Sequence, residues 1–359
     1  MRYKFLPLLA VCIFSFLPCL TVVAQPKAEC PEISHNFGAF NEENGPVTYR
    51  FPIVNAGTEP LSILRARATC GCTTPEFSQK PIAPGDTSYI SVSYDPKGRP
   101  GRFTKPIYVD ADGEIPKFRL EITGVVIGSE ATISQRYPVD FGPLKMVRPI
   151  FALGDVKMGR LKTVYLEGYN RNPDSLRVQV KDVPPYLDVV VAPKVAGPGE
   201  QVTLIAYINA DKGAQYGVVE DSITVVPVPG LSYKLPIVMN VIEDFSKNDP
   251  ASLERAPIAV PSTERLELGF IDKKKGRIRT LLKLENAGKN DLQIRRVYSV
   301  DPGIDVKAST TTVRKGKSAD IIIDIDPSVQ EGDILNSRIQ IITNDPLHPS
   351  YTVRIVGEF

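Results

Sequence analysis

Tryptophan is absent from the 359 residues, and histidine occurs only as His35 and His348. Imidazole is the usual general base at neutral pH and the commonest metal ligand. His35 lies in SHNFG beside the first expected strand and His348 in NDPLHPS between two prolines, so both read as surface turn residues. No nucleophile elbow, phosphate-cradling glycine loop or zinc-protease histidine pair accompanies them. The familiar hydrolase and nucleotide-binding constellations are thereby excluded. Without indole the usual sugar-stacking ring is lacking, and exposed tyrosines such as Tyr137, Tyr169 or Tyr186 are the rings that could still provide a glycan platform. An excess of either charge is also lacking: 43 Lys and Arg stand against 41 Asp and Glu. A balanced chain has no general electrostatic hold on nucleic acid or on an anionic membrane, so no nucleic-acid partner is expected.

Long apolar runs are confined to the start, MRYKFLPLLAVCIFSFLPCLTVVAQ. Arg2 and Lys4 precede an apolar stretch from Phe5 to Val23, and Val22-Val23-Ala24 supplies small residues before Gln25. That is the pattern of a secretory signal peptide over residues 1–24. Cys19 raises lipid attachment as an alternative, but Pro18 stands where a lipobox wants a small residue. Nothing after the leader reaches the roughly 18 apolar residues of a membrane-spanning helix. The mature chain is expected in the periplasm or cell envelope, with outer-membrane association left open.

What the sequence has in quantity is short β-branched runs separated by Pro, Gly, Asn and Asp, and they recur three times. Each copy begins at a glycine beside an aromatic: Phe37-Gly38, Phe141-Gly142 and Gly269-Phe270. A strand and an asparagine-bearing turn follow, at Val54-Asn-Ala-Gly57, Gly168-Tyr-Asn170 and Glu285-Asn-Ala-Gly288. A glycine turn then leads into an alternating strand: TSYISVSY, QVTLIAYI or SADIIIDI. Phe118, Leu120 and Ile122 share one face against Lys117, Arg119 and Glu121, the period of a half-buried strand. Six or seven such strands per copy predict an all-β chain of three tandem immunoglobulin-like antiparallel β-sandwiches. Their expected extents are 26–130, 131–245 and 263–359, with the proline-rich stretch 246–262 as a linker.

The pieces FGAF (37–40), FPIVNAGTEPLSI (51–63), ATCGCTTP (68–75), PIAPGDTSYISVSYDP (81–96) and GRFTKPIYV (101–109) run in order and at natural spacing. In them the first domain resembles the bacterial secreted domain-of-unknown-function family marked by a Cys-Gly-Cys-Thr signature. The third domain, ending TNDPLHPSYTVRIVGEF (343–359), is similar to the Hydin-like and major-sperm-protein-like branch of immunoglobulin folds. The resemblance implies a fold and an envelope setting and no known reaction. The second domain departs most, with YNRNPDS (169–175) in place of Asn-x-Gly.

Three cysteines remain after the leader. Spacing alone decides no pairing for Cys30, and several readings stay open. Cys30 with Cys70 or Cys72 would tie the N-terminal segment to the sandwich, as an oxidising compartment permits. All three could instead be packed thiols. Cys70 and Cys72 could chelate a soft metal such as Cu(I) or Zn(II), although zinc wants four ligands. Finally, Cys70 and Cys72 could close on each other as a reducible pair. Paired acids, Asp110 with Asp112 and Asp324 with Asp326, lack the further oxygen ligands of a calcium loop and read as solvated hairpins. The basic stretch from Lys273 to Arg279 reads as a solvated turn or a guarded edge, with an anionic partner as the alternative. The function expected is that of a non-catalytic, cofactor-free exported envelope protein, acting through its sandwiches as an interaction or scaffold module with an unidentified envelope protein as partner. A metal or thiol-redox module at Cys70 and Cys72 is the alternative, and a glycan-binding accessory module a further one.

Overall fold

The computed structural model describes residues 25–330 and 332–359. The expected signal peptide, with Cys12 and Cys19, lies outside the described residues. The chain is almost all β and forms two compact units, one ending at Val126 and the other beginning at Ile127. The first unit holds one pair of sheets and the second unit two pairs.

In the first unit one sheet runs Ala28–Glu29, Val47–Asn55, Thr87–Tyr94, Thr73–Phe77 in spatial order. Its companion runs Ser34–Asn41, Lys117–Ile127, Gly101–Ala111, Ile63–Ala68. Phe51, Ile53, Ile90 and Val92 from the first meet Ile107, Val109, Leu120 and Ile122 from the second in one buried cluster. The alternation read in the sequence therefore aims one face of each strand inward, and the two inward faces make a sandwich. The other two cores are built the same way. Leu204, Ala206 and Ile208 face Ile223, Val225 and Leu235 in one, and Ile321, Ile323 and Ile325 face Ile339, Val353 and Ile355 in the other. Ile322 interrupts the alternation only in composition, since it points outward and is half-buried.

In both sandwiches of the second unit the opening strand lies parallel to the last: Phe151–Lys157 on Leu231–Ile242, and Arg265–Phe270 on Ser350–Glu358. The register breaks between Ala152 and Gly154 and between Glu267 and Phe270. The opening glycine of the second copy is thus Gly154. Phe141-Gly142, expected in that role, belongs to a short hairpin of Val139–Phe141 and Leu144–Met146. A helix, Glu130–Arg136, precedes that hairpin, capped by Ser129, whose hydroxyl accepts the Thr132 N–H at 3.3 Å.

Three buried asparagines hold the same corner in each sandwich. Asn55 Nδ2 donates to the carbonyls of Glu59 and Ile82, each at 2.8 Å, and its Oδ1 accepts the Gly57 N–H at 3.0 Å. Asn286 Nδ2 donates to Asn290 O at 2.8 Å and Val313 O at 2.9 Å, and its Oδ1 accepts from Gly288 at 3.0 Å. Asn170 Nδ2 donates to Asp174 O and Ala196 O at 3.0 Å and to Gly197 O at 2.9 Å, and its Oδ1 accepts from Asn172 at 2.8 Å. All three side chains are sealed from solvent, so each saturates backbone groups that water cannot reach.

The segment 246–262 is only partly a connection. It contains a helix, Pro250–Glu254, capped by Asp249, and its end, Ala259–Pro261, pairs with Ile278–Asn286 as an edge strand of the third sandwich. Ala259 is part of that core. Its N–H is taken by the Asp345 carboxylate at 3.0 Å, a fully buried group that also accepts from Leu347 and His348.

Candidate functional site

Cys70 and Cys72 sit where the first sandwich changes sheets. The strand Ile63–Ala68 belongs to one sheet and Thr73–Phe77 to the other, and residues 69–72 carry the chain between them. A tight turn makes the crossing, closed by the Thr73 N–H on Cys70 O at 3.2 Å, with exposed Gly71 at its tip. The turn brings the Cα atoms of Cys70 and Cys72 to 5.3 Å, within the range a disulfide spans, and the two sulfurs are bonded to each other. The Asp95 N–H on Cys72 O at 2.9 Å anchors the far side.

The two sulfurs differ in surroundings. Cys72 is 4 % exposed and packs in the core, whereas Cys70 is half-buried at its rim. The Cys72 N–H donates to Cys70 Sγ at 3.1 Å. The Thr73 hydroxyl, itself buried, lies 3.7 Å from Cys72 Sγ.

The expected pairing of Cys30 with Cys70 or Cys72 is corrected by strand register. Cys30 follows Glu29, which pairs with Val54, while Thr73 and Val47 both pair with Tyr94. Val54 and Val47 are seven positions apart on one strand, about 23 Å at ~3.3 Å per residue. Cys30 is a free thiol at the other end of the sheet, and burial pushes it up to about 11. With both sulfurs of the Cys-x-Cys pair in a disulfide, neither is a thiolate ligand, and the described residues hold no group of three His, Cys, Asp or Glu able to bind a metal.

The remaining candidates fall in separate places. His35 stacks on Tyr49 at 3.6 Å within a strand, and the Tyr49 hydroxyl is bound by Glu32. His348 is exposed on a loop of the third sandwich. Asp112 accepts the Ser62 N–H at 2.7 Å, a link between loops. Much of the basic stretch is paired internally. Arg279 makes a two-pronged bond to Asp324 at 2.6 and 3.0 Å, Arg277 reaches Asp305 and Asp326, and Lys273 donates to Gln330 O and Gly332 O. Arg279 holds the Asp324 carboxyl below the usual range.

The tyrosines expected as a glycan platform are buried, which corrects that reading. Tyr137 and Tyr169 stack at 5.3 Å around Ile133 of the short helix, and Tyr169 Oη accepts the Gly128 N–H at 2.9 Å. Tyr186 donates to Asp221 at 3.0 Å, and burial with that hydrogen bond raises its pKa far above the usual tyrosine value. Their aromatic bulk went to the core, where each hydroxyl found a partner.

Two features were not visible in the sequence. One is a joint within the second unit. Arg296 Nη1 donates to Tyr216 O at 2.9 Å and Val218 O at 3.0 Å, while the Val218 N–H donates to Tyr298 Oη at 3.0 Å. The strand Leu292–Tyr298 thus supplies side chains to the edge of Gly217–Val228. Arg295 grips Glu243 at 2.8 and 2.6 Å beside it. A groove of about 530 Å³ adjoins the joint, walled by Val218, Ile242, Tyr298, Val300 and Ile342. Glu243 and Arg338 are the charged residues among its lining, the former held by Arg295.

The other feature is an apolar row on the outer face of the five-stranded sheet of the second sandwich. Val190, Ile205 and Tyr165 lie side by side across three strands, with Tyr207 in the next row and Leu161 at the strand end. Tyr165 is 64 % exposed and Leu161 80 %.

Residues 28–126 match the family described as Protein of unknown function (DUF1573), a span that contains the cysteine corner. No curated protein matches. Among solved structures, a protein of unknown function from Porphyromonas gingivalis W83 is 19 % identical over 61 % of this chain and 100 % of its own, with a TM-score of 0.47. An endo-fucoidan hydrolase of glycoside hydrolase family 107 is 15 % identical over 87 % of this chain, which spans only 41 % of the hydrolase, with a TM-score of 0.25. The titin I-band fragment I67–I69 is 13 % identical over 93 % of this chain and 98 % of its own, with a TM-score of 0.21. Likenesses this remote carry no argument about activity.

Proposed function

We propose that this protein is a non-catalytic, exported component of the cell envelope whose tandem sandwiches act as a scaffold for another protein. The observation that carries the reading is the outward row of Val190, Ile205 and Tyr165 with Tyr207 and Leu161. Water-facing sheet surfaces favour polar side chains, so the cluster of Val190, Ile205, Tyr165 and Tyr207, bordered by Asp188 and Thr163, reads as a contact surface. Aromatic residues at such a patch are the side chains that most often anchor a protein interface. No described helix is long and apolar enough to cross a membrane. Export is read from the leader pattern of residues 1–24.

The test crosslinks the tagged chain in its own cells and compares it with a Tyr165→Lys/Tyr207→Lys variant. Both positions point to solvent, so folding is preserved and checked by circular dichroism. A defined protein recovered with the wild type and reduced at least about tenfold with the variant supports the reading. Equal recovery, or no partner with either chain, refutes it. Fusion of residues 1–25 to a reporter active only outside the cytoplasm tests export separately.

A further inference from the structure

We infer that Cys70–Cys72 is an exchangeable disulfide, opened and re-formed by a protein dithiol, and not a staple of the fold. Three independent observations carry this. The bond encloses a single residue, Gly71, in a turn already closed by the Thr73 N–H on Cys70 O and anchored by the Asp95 N–H on Cys72 O. A link across so short a loop restricts the unfolded chain little.

The other two sandwiches make the same change of sheet without cysteine. In the second, the chain passes from Gln179–Lys181 to Leu187–Ala192, and in the third from Leu292–Tyr298 to Ile304–Ala308. The corner therefore needs no covalent bond.

The surroundings of the sulfurs also suit exchange. Cys70 is half-buried at the rim beside exposed Gly71, while Cys72 is buried. An incoming thiolate reaches Cys70. Its sulfur forms a bond to Cys70 Sγ as the Cys70–Cys72 bond breaks, and the electron pair departs on Cys72 Sγ. The Thr73 hydroxyl at 3.7 Å is placed to donate to that leaving thiolate. The second thiolate of the same dithiol then attacks its partner sulfur in the mixed disulfide and releases Cys70 as a thiolate. The Cys72 N–H already points at Cys70 Sγ from 3.1 Å. Two electrons pass from the dithiol to the pair, its two thiol protons balance the two new thiols, and the dithiol leaves as a disulfide. In reverse, the reduced corner passes two electrons and two protons to a partner disulfide and closes again as Cys70–Cys72. Cys30, about 23 Å away by strand register, takes no part.

The test uses the mature full-length chain in graded reduced and oxidised glutathione, with thiols trapped by alkylation and read by mass spectrometry. The pair is expected to open while the melting temperature of the first sandwich stays within a few degrees. Cys72→Ser should collect a glutathione adduct on Cys70, and Cys70→Ser should form one on Cys72 at least tenfold more slowly. Thr73→Val should slow the opening of the pair by about tenfold, through loss of one hydrogen bond to the departing thiolate, and Thr73→Ser should restore the rate. The inference fails if the pair stays closed across the series, if opening unfolds the sandwich, or if both cysteines react alike. It also fails if Thr73→Val matches the wild type.

Discussion

Replacing Asn286 by Ala tests the corner on which each sandwich depends. Asn286 is fully buried and makes three good hydrogen bonds, to Asn290 O, Val313 O and the Gly288 N–H, and a longer one from the Ile258 N–H at 3.4 Å. Alanine strands two carbonyls and at least one N–H in a site water does not enter. Each orphaned group costs about 1–3 kcal/mol, so the loss is about 4 kcal/mol. A domain of this size is stable by about 5–15 kcal/mol in all. At about 2–4 °C per kcal/mol for a unit spanning 127–359, its melting transition should fall by about 8–16 °C. Calorimetry of the full chain reads this directly, because the first sandwich lies in a separate unit and its transition should stay in place. Asn290→Ala is the control, since its backbone carbonyl still accepts. A shift below about 5 °C for Asn286→Ala would show that the backbone relaxes to satisfy itself, and the keystone argument would fall.

Three further outcomes follow from close approaches and burial. A Cβ at Gly288 would lie closer than 3.0 Å to the backbone of Ala256 and Ile258, so Gly288→Ala should release the strand Ala259–Pro261. Asn172→Ala, at the corresponding place in the second sandwich, should be nearly neutral, and hydrogen exchange across 256–261 for the first variant and across 144–146 for the second checks the contrast. At the joint, Gly217 has φ +82° and a Cβ there would sit 2.7–3.0 Å from the Tyr298 ring, so Gly217→Ala should expel the ring. Amide exchange over 216–220 should then rise about tenfold, and about fivefold for Tyr298→Phe, which removes one hydrogen bond of about 1 kcal/mol; unchanged protection in both would refute the joint. Finally, burial raises Cys30 from 9.0 to about 11, so at pH 8 its thiolate fraction is about a hundredfold below that of an ordinary thiol. Its alkylation should be slower by that factor and gain about tenfold per pH unit up to about pH 11; ordinary reactivity at pH 8 would contradict it.

The β content and the three-fold repeat were legible because they rest on local chemistry. Leu120, Ile122, Val353 and Ile355 alternate with polar neighbours, and all four are buried. The recurring asparagines were visible as turn residues, but their role was not, since each bonds a carbonyl 26 or 27 residues further along the chain. The departure at Asn170-Arg-Asn172 also has a tertiary cause. In the first and third sandwiches an N-terminal strand crosses beside Asn-x-Gly: Lys27 O accepts the Ala56 N–H at 2.8 Å, and Ile258 O accepts the Ala287 N–H at 2.9 Å. Gly57 and Gly288 leave room for that backbone. In the second sandwich the same edge is covered by Leu144–Met146, and a side chain at Asn172 is tolerated. The tyrosines misled because composition shows that a ring must go somewhere and not which face it joins. Tyr137 and Tyr169 filled the space around Ile133, while Tyr165 and Tyr207 went to solvent.

The cysteine corner was the least legible place, and the reason bears on what the protein is. Spacing alone permits a Cys-x-Cys chelate, a tight ring or a link to Cys30, because none of the three contradicts the local sequence. Only the pairing of Glu29 with Val54 and of Thr73 with Tyr94 separates Cys30 from the others. Comparison of the three sheet-changing corners then adds what one corner could not. Residues 182–186 and 299–303 turn the chain with side-chain hydrogen bonds, Asp182 to Thr224 in one and Asp301 to Ser337 in the other. A disulfide in the third instance is therefore an addition to a turn that folds without it. Scaffold and thiol chemistry are separable in this architecture: removing the sulfurs should leave the sandwich, and altering the Tyr165 face should leave the exchange. A variant in which either change abolished both would mean that the corner and the outer face serve one function.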